Sequence, residues 1–382
     1  MKKLNVVVVG LRFGAAFVPL YLNHPDVAGV GVCDTDAAAI QNIVNRYGHV
    51  IKTYSSFDDV LADENVDCVH ILTPPMFHVE MSEKALLAGK HTACAVTMGT
   101  TIDGLQRVVD AVKKSGRNYA MMETAIFTRN FLYAKDMLDT GKMGEVQFLK
   151  SEYYQDVEGL QDHWIGYPPM HYASHAIAPL MYLAKSRVKS VFCMGSGTIP
   201  EDMVKRYGNP FAVEIAVIEF ENGLKGSVAR SFNNVAKEYI EQFDVYGSKA
   251  TFEWQQINVE ENPVVYTISD STFGTKGYYT WREVGTYKVQ PGDFPDGLPE
   301  SLIPYLREAV YHEVLNPEKT YVEGGGHHGS HPFLVHDFIR SVIENRKPVC
   351  NEIAAANICA AGILAHESAL QNGVLLSVPE IK

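Results

Sequence analysis

The chain has 382 residues, of which 46% are hydrophobic and 20% charged, and its formal net charge is −12. These values indicate an ordered protein of about two domains. The acidic balance argues against nucleic acid or an anionic membrane surface as the main partner. The apolar run after the first residues is too short for a secretion signal, and no run approaches the ~20 residues of a membrane span. Six cysteines without CxxC spacing predict buried, reduced thiols in a cytoplasmic protein.

The first third of the chain alternates apolar strands with helices. Strands are predicted at LNVVVVG, AGVGVCD, DCVHILTPP, KHTACAV and NYAMME. Helices are predicted at AAFVPLYLNH, TDAAAIQNIVNRYG (capped by Thr35 and closed by Gly48), HVEMSEKALLAG and TIDGLQRVVDAVKKSG. Continuous β-branched runs suit parallel strands that are covered on both faces. We therefore expect an α/β, doubly wound Rossmann domain over residues 1–125.

The first turn of that sheet reads GLRFGA, from Gly10 to Ala15. In the dinucleotide fingerprint Gly-x-Gly-x-x-Gly/Ala, Gly10 suits the tight turn and Ala15 the close helix–strand contact. Arg12 replaces the second glycine, so it either crowds out the cofactor or meets its phosphates as a charged partner. Asp34 ends the second strand, where an acid binds the ribose and disfavours a 2′-phosphate. Together these features predict bound NAD rather than NADP.

A second domain is predicted over residues 126–382, starting with the helix TRNFLYAKDMLDTGKMG. Longer alternating strands follow at EVQFLKSEYY, VKSVFCMGSG, AVEIAVIEF, LKGSVARSF, EQFDVYGS and KATFEWQQ, with hairpins at Asn222-Gly223 and at VYGSKATF. This pattern indicates an α+β domain with a mostly antiparallel sheet, buried on one face. Residues 260–323 are expected to be irregular. LVHDFIRSVIENRKP and EIAAANICAAGILAHESALQNG are predicted helices that pack on either domain.

Two of these stretches resemble a known family. TPPMFHVEMSEKALLAGKHTAC and DVYGSKATFEW are similar to the Gfo/Idh/MocA family, named for glucose–fructose oxidoreductase, inositol dehydrogenase and MocA. The resemblance implies an NAD(P)-binding Rossmann domain, a second domain on a large open sheet, and hydride transfer at a sugar or cyclitol hydroxyl. It also implies a homo-oligomer through the open sheet. Beside Gly10, Arg12 and Asp34, the cofactor contacts that it implies are Leu11, Phe13, Thr73, Pro74, Pro75, His78, Ala95 and Val96.

The chain departs from the family at two catalytic motifs. The family follows its fifth strand with Glu-Lys-Pro, whose lysine helps to move the hydroxyl proton, whereas this chain has Ala95, Val96 and Thr97. The family's Asp-x-x-x-His reads HYASH here, with His171 in place of the aspartate and His175 retained. The usual proton relay is therefore not expected to be intact.

The departures are similar to a branch of NAD-dependent glycoside hydrolases. That branch also has arginine in the phosphate loop, valine in place of lysine, and Tyr-x-x-His-x-x-x-Pro, which YASHAIAP matches from Tyr172 to Pro179. Its members keep NAD bound, oxidise a ring hydroxyl, eliminate the glycosidic substituent, add water and reduce back. The glutamate that precedes the valine there is Ala95 here.

Five residues are candidates for catalysis. His175 is a candidate general base, because the unperturbed pKa of histidine is near neutral. Tyr172 can act as an acid or base if a neighbouring cation lowers its pKa. His171 either orients His175 or fills space. Glu123 ends the strand predicted at NYAMME, at the ligand-binding edge. Of Tyr153 and Tyr154, one is expected to face the pocket and the other to point away.

A histidine-rich segment, GGGHHGSHPFLVH, contains His327, His328, His331 and His336. Its glycines disfavour a helix that would align His327 with His331, and no carboxylate or cysteine completes a metal-binding set. We expect a glycine-rich loop at the substrate pocket and no metal.

Three functions remain open on the sequence. The first is a net NAD-dependent oxidoreductase that acts on a ring hydroxyl of a sugar or glycoside. The second is a glycoside hydrolase or lyase that uses tightly bound NAD without net redox change. The third is a non-catalytic NAD(H)-binding sensor.

Overall fold

The computed structural model describes residues 3–48, 51–157, 159–257, 262–276 and 279–382, with the backbone alone along 269–276 and 279–281. The chain forms two compact units. Unit 1 comprises Met1–Thr128, Asp293–Cys359 and Glu380–Lys382, and unit 2 comprises Arg129–Gly292 and Ala360–Pro379. The predicted division into 1–125 and 126–382 thus differs mainly in residues 293–359, which return to the first unit.

Unit 1 is built on a six-stranded sheet. Its strands are β1 (Leu4–Val9), β2 (Val27–Cys33), β3 (Ile51–Tyr54), β4 (Cys68–Ile71), β5 (His91–Cys94) and β6 (Tyr119–Met121). Its first helices are α1 (Leu11–Gly14), α2 (Val18–Asn23), α3 (Ala37–Tyr47), α4 (Phe57–Ala62), α5 (His78–Leu87) and α6 (Ile102–Ser115). All strand pairs are parallel, in the order β3-β2-β1-β4-β5-β6. The predicted Rossmann fold is confirmed.

Capping residues set the ends of these helices. Thr101 accepts a hydrogen bond from the Gly104 N–H and begins α6, and Gly116 ends it with a left-handed backbone. For α3 the predicted cap, Thr35, is wrong: the carboxylate of Asp36 accepts from the Ala38 N–H. β3 and α4 were not predicted, because they are short and show little apolar periodicity.

Unit 1 reverses its strand order between β1 and β4. Strands β2 and β3 lie on one side of β1, and β4, β5 and β6 lie on the other. In doubly wound sheets ligands bind outside the carboxyl ends of the strands at this switch point. The turn after Val9 and the loop after Ile71 therefore form the expected cofactor edge.

The remaining elements follow Thr128. The helices are α7 (Arg129–Asp139), α8 (Ser174–Ala184), α9 (Glu201–Tyr207), the single turn α10 (Gly326–Gly329), α11 (His331–Ile343) and α12 (Glu352–Leu370). The strands are β7 (Val146–Tyr154), β8 (Val188–Ser196), β9 (Val213–Phe220), β10 (Lys225–Ser231), β11 (Ile240–Gly247), β12 (Ala250–Glu253), β13 (Val264–Lys276), β14 (Tyr279–Lys288), β15 (Ala309–His312), β16 (Thr320–Glu323) and β17 (Leu376–Ser377). Strands β15 and β16 form a separate two-stranded sheet in unit 1.

Unit 2 contains a nine-stranded sheet in the order β14-β13-β12-β11-β7-β10-β9-β8-β17. Only β7 and β10 pair in parallel; the other pairs are antiparallel. The predicted mostly antiparallel sheet is confirmed, and so are both hairpins. Asn222-Gly223 joins β9 to β10, and Ser248-Lys249 joins β11 to β12.

The prediction of an irregular segment over residues 260–323 is wrong for β13 and β14, which pair as a long hairpin on the sheet edge, and for β15 and β16, which pair with each other. Residues 258–261 and 277–278 lie outside the described part. The described side chains from Arg282 to Lys288 are exposed. An edge strand that is exposed on both faces needs no alternation of apolar and polar residues, so the sequence signal for β14 was absent.

Among the described residues, one helix meets the length and hydropathy limits for a membrane span. α12 has 19 residues and a mean hydropathy of 1.4, and 72% of its apolar window is buried within the protein. Burial of this extent is typical of a core helix. All six cysteines are buried free thiols, as predicted.

The buried carboxyl group of Asp244 on β11 is expected to make the stability of the fold depend on pH. Burial raises its pKa to about 6, against the opposing effects of the Trp254 N–H and of Lys150, 3.8 Å away. The folded state therefore holds this proton more tightly than the unfolded chain. Its contribution to stability is complete below pH 3.8 and is lost as the pH rises through about 6. In Asp244→Asn the decline in unfolding free energy between pH 4 and 7 should be smaller by about 2 kcal/mol.

Urea unfolding at each pH measures this difference, with Asp202→Asn on the exposed face of α9 as the control. Equal pH dependence in Asp244→Asn and the wild type would contradict the assignment.

Candidate functional site

The turn after β1 in unit 1 is shaped by close backbone contacts. Gly10 has a φ of +89°, and a Cβ atom there would lie 2.7 Å from the carbonyl oxygen of Leu72. A Cβ on Gly14 would lie 2.9 Å from Cγ1 of Val8, so Gly14, rather than the predicted Ala15, makes the tightest helix–strand contact. Only glycine fits both places without a shift of neighbouring atoms.

Asp34 is held at the same edge by two backbone groups. The Leu11 N–H donates to its Oδ2 over 2.6 Å, and the Asp36 N–H donates to its Oδ1 over 2.8 Å. Each carboxylate oxygen has a second lone pair. The side chain is thus fixed in place and retains acceptor capacity for a pair of ribose hydroxyls.

Arg12 and Phe13 follow on the solvent side of the turn. Both side chains are exposed, and the Phe13 ring packs edge-on against His327 and His331 at centroid distances of 5.7 Å. An exposed guanidinium beside a glycine turn suits a diphosphate. Of the two interpretations of Arg12, the exposed position favours the phosphate partner.

The loop after β4 is fixed by a buried histidine. The two ring nitrogens of His78 lie 2.6 Å from the carbonyl oxygen of Thr97 and 2.7 Å from that of Thr73. Carbonyl oxygens only accept hydrogen bonds, so a doubly protonated ring satisfies both contacts. His78 therefore joins the loops after β4 and β5 and supports the cofactor edge from inside, while Thr73 and Pro74 are partly exposed there and Pro75 is buried.

The segment after β5 carries no charged side chain. Ala95 is partly exposed and Val96 is buried with 6% exposure. The Val96–Thr97 peptide bond is cis. Thr97 Oγ1 lies 2.9 Å from Cys359 Sγ. This edge therefore offers shape and apolar contact to a cofactor, and acid–base groups have to come from other residues.

Unit 2 places three polar side chains in one row across neighbouring strands. Tyr153 on β7 pairs in register with Arg230 on β10 at one side and with Glu241 on β11 at the other. α8 packs on these strands. Because residues paired in register share a face of the sheet, the row lies beneath the start of α8, where His175 is located.

His175 is surrounded by two phenols and a carboxylate. Its ring lies edge-on to Tyr153 at 5.4 Å and to Tyr172 at 5.7 Å, and its Nε2 is 3.9 Å from Oε1 of Glu241. The residue is only 5% exposed. The predicted residues His175, Tyr172 and Tyr153 thus come together in a compact acid–base cluster.

Arg230 supplies the positive charge of this cluster and is fully buried. Its guanidinium carbon lies 3.5 Å from the centre of the Tyr153 ring and 6.0 Å from that of Tyr172. It donates to the carbonyl oxygens of Tyr172, Tyr153 and Ser231 and to the side-chain amide oxygen of Gln155. These acceptors are neutral, so the cation keeps its field for the neighbouring phenols.

Sequence reasoning missed Arg230 and Glu241. In LKGSVARSF the alternation that buries Val228 also buries Arg230, and a buried arginine is a signal for a functional or structural charge. Glu241 gave no comparable signal, because its place beside His175 depends on long-range strand pairing.

His171 belongs to a different group of side chains. Its ring packs against His366 at 4.8 Å, and burial, together with His366, lowers its pKa to about 3. The Nδ1 of His366 bonds to Glu214 Oε1 over 2.6 Å, and the second oxygen of Glu214 accepts from the Met170 N–H. A neutral His171 in this group favours a packing role over that of the missing aspartate.

Glu123 is buried at the carboxyl end of β6. Its Oε1 accepts from the Ala125 N–H over 3.0 Å and caps the short 3₁₀ helix Thr124–Ile126. This contact gives the residue a structural role whether or not it also meets a ligand.

The histidine-rich segment forms a tight turn in unit 1. His327 and His328 both have positive φ values, 45° and 54°, and His327 Nδ1 lies 3.0 Å from His331 Nε2. His336 pairs instead with His24 over 3.0 Å. Among the described residues, no three His, Cys, Asp or Glu side chains are placed to hold a metal ion.

Two family models match parts of this chain. A family model described as an oxidoreductase family with an NAD-binding Rossmann fold matches residues 4–123, and a GFO/IDH/MocA C-terminal domain matches residues 131–253. The structure of levoglucosan dehydrogenase in complex with NADH and L-sorbose has the same fold, with a TM-score of 0.77 at 20% identity over 100% of both chains.

Curated relatives match parts of the chain. A glycosyl hydrolase family 109 protein of Saccharopolyspora erythraea is 31% identical over 166 residues, 41% of this chain and 36% of that protein. A 1-carboxy-3-chloro-3,4-dihydroxycyclohexa-1,5-diene dehydrogenase of Comamonas testosteroni is 27% identical over 238 residues, 60% of this chain and 58% of that protein. The chain thus spans little more than a third of the family 109 relative. Because the two family models together match more than half of its residues, the chain belongs to the Gfo/Idh/MocA oxidoreductase family and has that family's NAD-binding Rossmann domain.

Proposed function

We propose that this protein is an NAD-dependent oxidoreductase that acts by hydride transfer at a ring hydroxyl of a sugar or glycoside. The observation that carries the proposal is the buried His175, with Tyr153, Tyr172 and Glu241 around it. Oxidation of an alcohol requires a base for the hydroxyl proton, and a fixed histidine is suited to that task.

The residues at the cofactor edge fit NAD. Gly10 leaves no room for a side chain beside Leu72, Asp34 presents two fixed oxygens, and Arg12 is exposed. We assign the ribose to Asp34 and the diphosphate to Arg12 and the turn at Leu11 and Phe13. Thr73, Pro74, Pro75, Ala95 and Val96 line the same edge, and His78 supports it. Bound NAD supplies the acceptor for hydride from the carbinol carbon.

His175 accepts the proton when the substrate hydroxyl becomes a carbonyl. Tyr172 is the second acid–base candidate, because its ring lies 5.7 Å from that of His175 and 6.0 Å from the guanidinium carbon of Arg230. Tyr153 is buried, and its burial raises its pKa well above the usual value, so it stays protonated and acts as a hydrogen-bond donor.

A second candidate function is glycoside hydrolysis or elimination with NAD retained. Val96 in place of the family's lysine and the partial match to family 109 relatives favour it. After oxidation next to the anomeric region, removal of the acidified C–H proton and protonation of the leaving oxygen need two acid–base groups, and Tyr172 and His175 provide them. A non-catalytic sensor would have no need for a buried arginine beside two phenols.

Asp34 tests the cofactor assignment. In Asp34→Ala the ribose loses a charged acceptor and the Leu11 N–H loses its partner, so the dissociation constant of NAD should rise about tenfold or more, with improved relative binding of NADP. Isothermal titration with both nucleotides measures this. Asp36→Ser is the control, since serine keeps the α3 cap while removing a neighbouring charge. Unchanged NAD affinity in Asp34→Ala would show that Asp34 does not bind the ribose.

A proton NMR time course in heavy water distinguishes the two reactions. We expect no turnover of aldoses, cyclitols and methyl glycosides until NAD is added, and then a keto-sugar with an equal amount of NADH. Release of free sugar with deuterium in the ring and no added NAD would instead establish the hydrolase or lyase.

His175→Ala is the matched variant in the same experiment. It should bind NAD as the wild type does and lose turnover by a factor of about 10² or more. Full turnover in this variant would refute the assignment of His175 in either reaction, and silence of the wild type in both conditions would favour the sensor.

We also propose that the outer face of the unit 2 sheet joins two copies of this chain. Phe192 and Met194 on β8 pair in register with Val217 and Ile215 on β9, and all four are 39–50% exposed. Contiguous apolar side chains of this kind mark interaction surfaces.

In Val217→Glu a buried charge would oppose this contact, so light scattering after size exclusion should show a smaller particle than for the wild type. Lys205→Glu on α9 is the control for added negative charge. A monomeric wild type would contradict the proposal.

A further inference from the structure

A carboxylate lies beside His175, although none occurs four residues before it. Glu241 Oε1 is 3.9 Å from His175 Nε2, and the two side chains are 3% and 4% exposed. A carboxylate that is removed from water at this distance interacts strongly with an imidazolium. We propose that Glu241 is the positioning residue of His175 and stabilises its protonated form.

Strand pairing fixes the position of Glu241. It lies opposite Tyr153, which β7 holds between β10 and β11, and α8 packs on β11 as well as on β7. The hydroxyl of Tyr239 donates a hydrogen bond to Oε1 of Glu241. The carboxylate is therefore fixed by the Tyr239 hydroxyl and by the pairing of β11 with β7. Its distance to His175 does not depend on a flexible loop.

Among the described residues, charged and titratable groups approach His175 from several elements. Glu241 lies on β11 with Tyr239 just before it, Tyr153 on β7, Arg230 on β10, and Tyr172 just before α8. Arg230 opposes protonation of the imidazole, but Tyr153 separates it from Glu241 in the row. Glu241 is an anion 3.9 Å from Nε2 of the ring, and it favours the imidazolium.

The pair of Glu241 and His175 explains how the protein tolerates histidine at position 171, where the family has aspartate. His171 stays neutral and packs on His366, and the carboxylate function comes from a strand far away in sequence. During oxidation the substrate O–H bond breaks and its proton moves to His175, while Glu241 remains ionised and balances the new charge. This role rests on the proposed function, since it presumes that His175 receives the proton.

Histidine-selective NMR of the NAD-loaded protein tests the pair without any substrate. The His175 signal is assigned by its loss in His175→Ala, and its titration is followed from pH 4 to 9. Because Glu241 favours the protonated ring, Glu241→Gln should lower the titration midpoint of His175 by roughly one unit or more. Glu241→Asp keeps the negative charge but places it farther from the ring, because the side chain is shorter. This variant should lower the midpoint less.

Glu152→Gln is the matched control. Glu152 lies one residue before Tyr153 on β7, and therefore on the opposite face, where it contacts Gln242 and Lys150. This variant should leave the His175 midpoint within about 0.2 units of the wild type, against a shift of about one unit for Glu241→Gln. A midpoint that Glu241→Gln leaves unmoved, or that Glu152→Gln moves equally, overturns the proposal.

Glu241→Asp keeps the test decisive if Glu241→Gln does not fold, because a midpoint equal to that of the wild type would then count against the pair. The turnover of His175→Ala is scored separately. Normal turnover in that variant removes the proposed role of His175 as the base and leaves the measured ion pair standing, so the two failures are distinguishable.

Discussion

The buried guanidinium of Arg230 organises the acid–base half of this protein. A charge without water is costly unless its surroundings compensate, and here carbonyl oxygens and an amide provide four hydrogen bonds while Tyr153 and Phe232 cover the planar faces at 3.5 and 3.8 Å. To satisfy these contacts, the backbone at Tyr172 has to approach β10. Tyr172 and His175 are thereby brought over the sheet, and the electrostatics of the site follow from one structural requirement.

The cofactor half depends on a different constraint, the close approach of backbone segments at the strand switch point. Gly10 contacts the carbonyl of Leu72, Asp34 holds the Leu11 N–H, and His78 joins the carbonyls of Thr73 and Thr97. Each contact involves main-chain atoms, so side chains at this edge can change with little effect on its shape. Arg12 in place of a glycine and Val96 in place of a lysine are compatible with an edge whose shape depends on main-chain contacts.

Local signals in the sequence were sufficient for most of unit 1. Continuous valine runs, the Thr101 cap and the Gly116 stop identify β1 and α6, because each signal lies within the element that it specifies. The N-cap of α3 is Asp36, one residue after the predicted Thr35. Both side chains can accept the capping hydrogen bond, so the sequence does not decide between them. The strand β14 had no signal, since its described side chains are exposed and no burial pattern is imposed on them.

The site in unit 2 was predictable only in part, for a related reason. His175 and Tyr172 stand in one short motif, but Arg230 and Glu241 are joined to Tyr153 by pairing between β7, β10 and β11.

Those pairings are set by the registers of two different strand pairs, which a single sequence does not specify. The motif position that the family gives to aspartate is held by His171, and a reading confined to the motif would conclude that the base has lost its carboxylate. The fold places Glu241 beside the ring instead. Loss of a catalytic group within a motif is therefore weak evidence for loss of catalysis when the residue that it supports lies against a sheet, because any inward position on the neighbouring strands can supply the same charge.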